Sequence, residues 1–117
     1  MDIAGQFESK SNEIGYAPHK TFKGVYLKHL VKGEITDGRI SSHLVKVEPF
    51  CSIDTHIHAE QLEIHEVIQG EGECLVGEKP IRYEPGSVEV IPQNVPHKVT
   101  AGENGLYILA QFAPALL

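Results

Sequence analysis

Short apolar segments separated by glycine and proline make up most of the chain from Thr21 onward. Valine, isoleucine, tyrosine and phenylalanine are frequent in these segments, which favours strands over helices. No segment keeps apolar residues on one helical face for three turns. The segments are TFKGVYLKHLV, RISSHLVKVE, EIHEVIQ, GECLVG, SVEVIP, HKVTA and LYILAQFA. Closely spaced strands with turns of this kind predict an all-β sandwich or barrel.

The first twenty residues differ from the rest of the chain. They are mixed and polar, and they contain Gly5, Gly15 and Pro18. This composition predicts an N-terminal arm or strap over residues 1–20, with one short strand, before a barrel domain over residues 21–117. A chain of 117 residues has the usual size of a single domain.

Alternation of side chains indicates which residues share a face of each strand. In SHLVKVE, His43 is in phase with Val45 and Val47. We therefore expect the His43 side chain to point into the barrel. In SVEVIP, Val88 and Val90 share one face, although the pattern does not fix the register.

The last segment, LYILAQFAPALL, is apolar on both faces. Such a strand is either central in its sheet or covered by another subunit, because an exposed apolar strand promotes aggregation. We take this pattern as favouring a homo-oligomer, most simply a twofold homodimer.

The charge balance argues against some classes of partner. Sixteen acidic residues against ten basic ones give a formal net charge of −6, which argues against binding nucleic acid or an anionic membrane surface. No apolar run approaches the roughly 20 residues that span a bilayer, and MDIAGQFESKSNEIGY lacks the features of a signal peptide. We expect a cytoplasmic protein in which Cys51 and Cys74 are reduced, mostly buried thiols.

Imidazoles and carboxylates are concentrated in the stretch DTHIHAEQLEIHEVIQG. On a strand, His56 and His58 point to one side and can reach one point. Glu63 opens the next strand and would face His58 if the two strands form a hairpin. His65 and Val67 share the face of Glu63 by the same alternation. These residues alone fit either a metal site or a solvated acidic loop.

A second stretch, PGSVEVIPQNVPHKV, carries a lone histidine after a rigid bend. Pro92, Asn94 and Pro96 form the bend, and His97 begins the strand that follows it. Such a bend is either a means of aiming the histidine or simply a tight corner.

Together the two stretches resemble the two sequence motifs of the cupin superfamily. The first motif has two histidines one residue apart, then a glutamate and a glycine; the second has a glycine, a proline and a histidine. The matching residues are His56, His58, Glu63 and Gly70 in the first motif, and Gly86, Pro92 and His97 in the second. Three turn or scaffold positions depart from the motifs. Phe50 and Asn94 stand where glycines are expected, and Ala101 replaces an asparagine.

The resemblance implies a cupin double-stranded β-helix, a jelly-roll-like antiparallel barrel of six strands. It also implies a metal ion near one mouth of the barrel, with His56, His58, Glu63 and His97 as ligands. Three imidazoles and one carboxylate suit one divalent transition metal (Mn, Fe, Ni, Zn, Co or Cu) and disfavour Ca²⁺ and Mg²⁺. Four ligands on a six-coordinate ion leave two adjacent positions for a small molecule.

Two functions are compatible with this resemblance. The first is a small metalloenzyme acting on an oxygen-bearing metabolite, of dioxygenase, isomerase, lyase or decarboxylase type. The second is a non-enzymatic cupin that binds or senses a small molecule. His65 is the candidate general base, and His43, His65 and Gln61 are candidate pocket residues. His19 and His29 receive no role, and Tyr83 is expected to be a core or interface residue.

Overall fold

The computed structural model describes residues 7–117, and these residues form eight β-strands and two short 3₁₀ helices. The helices are Ser11–Glu13 and Gly33–Ile35. The strands are β1 (Ala17–Pro18), β2 (Val25–Val31), β3 (Ser41–Val47), β4 (Ser52–His56), β5 (Leu62–Val76), β6 (Lys79–Tyr83), β7 (Val88–Ile91) and β8 (His97–Ala113). All strand pairs are antiparallel. The predicted jelly-roll-like antiparallel barrel is confirmed, with two strands more than the six expected.

Two long strands, β5 and β8, pair with each other over nearly their whole length. The first half of β5 and the second half of β8 form one sheet with β1, β2, β3 and β7. The second half of β5 and the first half of β8 form another with β4 and β6. The two sheets therefore share β5 and β8, and the core lies between them.

Glycines allow this pair of strands to bend. The register of β5 against β8 shifts between Val67 and Gln69 and again between Gly70 and Gly72. Gly70 has a left-handed backbone with φ of +86°, and a Cβ atom there would overlap the carbonyl oxygen of Gly105. β-bulges and glycines are the usual means of bending a sheet at a barrel corner.

The predicted alternation is confirmed in β3 and β5. Residues at every second position of β3 are buried, and His43 is only 2% exposed between Ser41 and Val45. In β5, Glu63 and His65 point into the barrel together with Val67. The barrel interior is therefore apolar at one level and polar at another.

The apolar C-terminal strand is central in its sheet. The second half of β8 lies between β3 and β5, which explains why both of its faces are apolar. Val88 and Val90 share a face as predicted, and that face is the exposed outer one. The pattern at the end of the chain thus needs no second subunit to explain it.

Two of the three departures from the cupin motifs keep the backbone of the glycine they replace. Phe50 and Asn94 have φ values of +61° and +65°. Asparagine tolerates this left-handed region better than other non-glycine residues. Ala101 is a buried residue of β8.

The start of the described chain lies against the barrel. β1 pairs with β2, and the Lys28 ammonium group donates a hydrogen bond to the Ser11 carbonyl at 2.9 Å. Residues 1–6 of the predicted arm lie outside the described residues, and the division at residue 20 stays a prediction. Cys51 is half-buried, Cys74 is buried, and both are free thiols. Within residues 7–117, no helix is long and apolar enough to cross a bilayer.

Replacing Gly70 with Ala is expected to lower the free energy of unfolding by about 2–5 kcal/mol. A left-handed backbone costs an L-residue about 1–2 kcal/mol, and overlap with Gly105 adds about 1–3 kcal/mol. Gly77→Ala is the matched control, because Gly77 also has a positive φ but has open space around it. It should lose only the roughly 1–2 kcal/mol of the first term. Urea unfolding of both variants measures the difference, and equal losses would contradict the steric argument.

Candidate metal centre

Four side chains with metal-binding atoms converge inside the barrel near one mouth. His56 ends β4, His58 lies in the loop after it, Glu63 is in β5, and His97 begins β8. One nitrogen or oxygen from each residue lies within 4.8 Å of the others. Metal–ligand bonds of about 2.0–2.2 Å place donors on opposite sides of one ion at most about 4.4 Å apart. The four donors therefore need to close by only a few tenths of an ångström to share one ion.

The strand pairing that brings these residues together differs from the expected hairpin. β4 pairs with β8, so that His56 lies opposite His97 with ring centroids 4.1 Å apart. The expectation that Glu63 faces His58 across a β4–β5 hairpin is wrong, because Glu63 pairs instead with Ile91 and Phe112. Glu63 Oε1 nevertheless lies 3.5 Å from His58 Nε2, because the two side chains meet across the barrel interior.

The bend before β8 is fastened to the loop that carries His58. The backbone N–H of Asn94 donates to the His58 carbonyl at 3.0 Å, and the Gln93 side chain donates to the Ala59 carbonyl at 2.6 Å. These bonds join the two stretches that the sequence motifs mark separately. The bend therefore fixes the position of His58 as well as that of His97.

Backbone carbonyls fix the orientation of two of the imidazoles. The Nδ1 atom of His56 lies 2.8 Å from the Asp54 carbonyl oxygen, and that of His97 lies 2.9 Å from the Val95 carbonyl oxygen. A carbonyl oxygen only accepts, so each Nδ1 carries the hydrogen. The Nε2 lone pair of each neutral ring then points toward the cluster, as a metal ligand requires.

Two buried atoms of the cluster have no hydrogen-bond partner. The Glu63 Oε1 and His97 Nε2 atoms are 3.1 Å apart, and neither makes a hydrogen bond. Both residues are at least 95% buried. Two buried lone pairs facing each other are unfavourable unless a cation or a proton satisfies both. The donor set and this contact both fit a divalent ion.

Burial and neighbouring charges set the ionisation of the four residues. Burial raises the pKa of Glu63, but the facing rings of His65 and His97 outweigh it and hold that pKa well below its ordinary value. Burial is the main reason that the pKa values of His56 and His58 are lowered. For His97, burial is outweighed by the Glu63 carboxylate and the Val95 carbonyl, and the pKa is raised. The shifts at Glu63, His56 and His58 favour the forms that bind a metal, an ionised carboxylate and neutral imidazoles, whereas the shift at His97 favours the protonated ring.

A cavity of about 340 Å³ lies beside the cluster, and His56, His58 and Glu63 are among the residues that line it. Its walls are mainly apolar, and of the described residues that line it none is lysine or arginine. Residues that form its apolar wall include Phe22, Leu27, Val45, Ile53, Ile108 and Phe112. Any molecule entering it therefore meets polar groups mainly at the histidines and Glu63.

Two of the three candidate pocket residues line this cavity, namely His43 and His65. Both nitrogens of His43 have partners, since Nδ1 lies 2.9 Å from His29 Nδ1 and Nε2 lies 2.9 Å from Ser41 Oγ. Burial, followed by the neighbouring His29, lowers the pKa of His43 to about 4. Gln61 is half-buried before β5 and is not among the lining residues. Its contact with a ligand stays a prediction.

Sequence reasoning overlooked two further histidines of the cavity. His29 is in phase with Val25 and Leu27 on β2, and all three line the cavity. The same alternation that identified His43 was therefore available for His29. His19 stacks on Phe22 at the mouth, with ring centroids 4.6 Å apart. It belongs to a turn without alternation, so the sequence pattern gave no signal for it.

Comparisons with known proteins agree with this architecture. No curated protein matches the chain. KdgF from Halomonas sp. is 21% identical, with a TM-score of 0.80 and 90% of each chain covered. A predicted oxalate decarboxylase from Thermotoga maritima is 23% identical, with a TM-score of 0.85, and covers 92% of this chain and 99% of its own. Ectoine synthase from P. lautus is 18% identical, with a TM-score of 0.82, and covers 94% and 79% respectively.

These three likenesses show the fold alone. The family assignment depends on a sequence match, in which the family model described as "Cupin domain" matches residues 43–109. The matched range is more than half of the chain and includes all four residues of the cluster. On this match and on its barrel, the chain belongs to the cupin family.

Proposed function

We propose that this protein is a metal-dependent cupin in which His56, His58, Glu63 and His97 hold one divalent transition metal. The observation that carries the proposal is that the buried atoms Glu63 Oε1 and His97 Nε2 lie against each other and have no hydrogen-bond partner. Mn, Fe, Co, Ni, Cu and Zn all suit this donor set. When bound, the ion would supply a Lewis acid with open coordination positions beside the cavity.

The cavity supports a small, largely uncharged substrate that carries oxygen atoms at one end. Its walls are mainly apolar. The described residues that line it include no lysine or arginine, the residues that would pair with a phosphate or a second carboxylate. A diol, a diketone, or a hydroxy or keto acid could direct its oxygens to the cluster and its apolar part to Phe22 and Leu27. The apolar walls would exclude water from the reacting end.

The reaction class stays open among oxygenase, isomerase, lyase and decarboxylase. The structural relatives include proteins named as a predicted oxalate decarboxylase and an ectoine synthase. Ligand binding without catalysis would use the same cavity and is the alternative function. The expected cytoplasmic location stays a prediction.

Purified protein loaded with Mn²⁺, Fe²⁺ or Zn²⁺ should contain about one ion per chain. His97→Ala should weaken binding by more than the roughly 10–100-fold typical of a supporting residue, because it removes a ligand. His29→Ala is the control, since His29 lines the cavity but lies outside the cluster. Elemental analysis after gel filtration measures the ratio. Wild-type protein that retains no ion would overturn the proposal.

The same ion should make stability depend on chelator and on pH. A ligand at one hundred times its dissociation constant adds about 2.7 kcal/mol to the free energy of unfolding. Because the pKa of His97 is raised, protons begin to compete for its Nε2 above the ordinary histidine pKa of about 6.5. Metal affinity should therefore already be falling when the pH decreases to about 6.5. Chelator titrations at several pH values test this, and a pH-independent affinity would contradict it.

Binding of metabolites to the cavity should depend on their charge. Metal-loaded protein is expected to bind uncharged diols, diketones or singly charged hydroxy and keto acids, and to exclude their phosphorylated counterparts. Calorimetry measures binding, and mass spectrometry of the products measures turnover. Saturable binding without turnover would favour the non-enzymatic alternative. A preference for phosphorylated compounds would contradict the substrate class.

We also propose a twofold homodimer formed through the outer face of β5 and β7. Five large apolar side chains are exposed on these two strands, and Ile64 lies opposite Val90. They are Leu62, Ile64, Ile68, Val88 and Val90. In a twofold dimer one such patch covers the same patch of the second copy.

Val90→Lys should convert the proposed dimer to a monomer, because it places a charge at the centre of this face. Phe50→Lys is the control, since Phe50 is also exposed and apolar but lies outside β5 and β7. Light scattering after gel filtration gives the mass of each protein. A monomeric mass for the wild type at tens of micromolar would reject the dimer.

A further inference from the structure

His65 is the one histidine of the first stretch that the cupin motif does not require, and it contacts a residue of the cluster. Its Nε2 atom lies 2.5 Å from Glu63 Oε2, and its Nδ1 atom lies 2.8 Å from the Tyr83 hydroxyl. We infer that His65 and Tyr83 are positioning residues, which hold Glu63 so that only its Oε1 atom faces the metal. This inference rests on the proposed metal site.

The direction of each hydrogen bond follows from the chemistry of the partners. The Glu63 carboxylate only accepts, so His65 donates its Nε2–H to Oε2. With the hydrogen on Nε2, the Nδ1 atom of a neutral ring accepts, and the Tyr83 hydroxyl is the group that donates to it. The hydrogen bonds thus run in one direction, from Tyr83 through His65 to Glu63.

Tyr83 is suited to this role by its surroundings. It is fully buried at the end of β6, and burial, together with the adjacent Cys74, raises the pKa of its hydroxyl far above the ordinary value. The hydroxyl therefore keeps its hydrogen. Because Tyr83 is fully buried and His65 is nearly so, water competes little for the two bonds.

This arrangement changes the role expected for His65. Both of its ring nitrogens are engaged, and the residue is only 3% exposed. It has no free lone pair to accept a proton from a substrate, so it is not the general base that the sequence suggested. Its effect on the reaction is exerted through Glu63.

The consequence for the metal is a carboxylate with one available oxygen. A free carboxylate can bind an ion through both oxygens, which would occupy one more coordination position. With Oε2 bound to His65, Glu63 offers Oε1 alone, facing His97 and His58 at 3.1 and 3.5 Å. Three imidazoles and one oxygen would leave two positions for a substrate on an ion that takes six ligands.

Four variants of the full chain test the inference by metal affinity. His65→Leu removes the donor to Oε2, and His65→Gln replaces it with an amide N–H₂. Tyr83→Phe removes only the hydroxyl, and Tyr26→Phe removes the same atom from β2, where it is bonded to Glu48 rather than to the cluster. Competition with a chromophoric chelator gives the Mn²⁺ and Zn²⁺ dissociation constants, and thermal melting of the metal-free proteins confirms that each is folded.

His65→Leu should raise the dissociation constants by roughly 10–100-fold, and Tyr83→Phe by about tenfold. His65→Gln should recover most of the loss, and Tyr26→Phe should match the wild type. X-ray absorption of the Zn²⁺ proteins supplies a second readout: the mean coordination number should rise in His65→Leu, because Oε2 is released. A residue with a merely structural role would lower the melting temperature without moving either readout.

The possible failures are distinguishable. If the wild type binds no ion, the proposed metal site falls and this inference falls with it. If the wild type binds an ion while His65→Leu and Tyr83→Phe bind it equally tightly, the positioning role alone is overturned. The same holds if His65→Gln binds as weakly as His65→Leu.

Discussion

The bend in the paired strands β5 and β8 is the constraint on which the candidate site depends. His97 lies opposite Val76, which is thirteen positions along β5 from Glu63. In a straight strand these positions would be separated by about 40 Å. The side chains of His97 and Glu63 nevertheless approach to 3.1 Å, because the two strands bend and bring the two sheets face to face.

Small residues at the bend make this approach possible. Gly70 adopts a left-handed backbone directly against Gly105, and a side chain on Gly72 would overlap the Thr100 carbonyl. Gly70, which the cupin motif places after Glu63, is thus required for Glu63 and His97 to meet. A motif that joins ligand and turn residues describes one physical arrangement rather than two separate features.

The cluster has an electrostatic cost that the rest of the barrel must offset. A buried carboxylate lies against three imidazoles, and Glu63 Oε1 and His97 Nε2 have no hydrogen-bond partner. The apolar core that lies between the sheets supplies the stabilisation that holds these groups together. Preorganised ligands of this kind need little rearrangement to accept a cation, and that is the gain from burying these polar groups together.

Much of the fold and of the site could be predicted from the sequence because the relevant signals are local. Alternation placed His43 inside the barrel and set Glu63 and His65 on one face, and the motif spacing identified the four clustered residues. The β4–β5 hairpin was wrong because strand pairing is a long-range property that local pattern does not determine. The pairing of His65 with Tyr83 was missed for the same reason, since it joins β5 to the end of β6.

Several of the histidines are oriented by groups that are close to them in the sequence. Each of four buried or half-buried imidazoles is held by a group two residues away: His43 by Ser41, His56 by Asp54, His65 by Glu63 and His97 by Val95. Ser41 and Glu63 do so with side chains that point to the same side of the strand as the histidine, whereas Asp54 and Val95 do so with their backbone carbonyls. His43 and His65 also have a second partner on another strand, His29 on β2 and Tyr83 on β6, and the convergence of the clustered histidines requires the complete barrel. Local partners therefore contribute to the direction of each ring, and the bend of β5 and β8 brings His97 to Glu63.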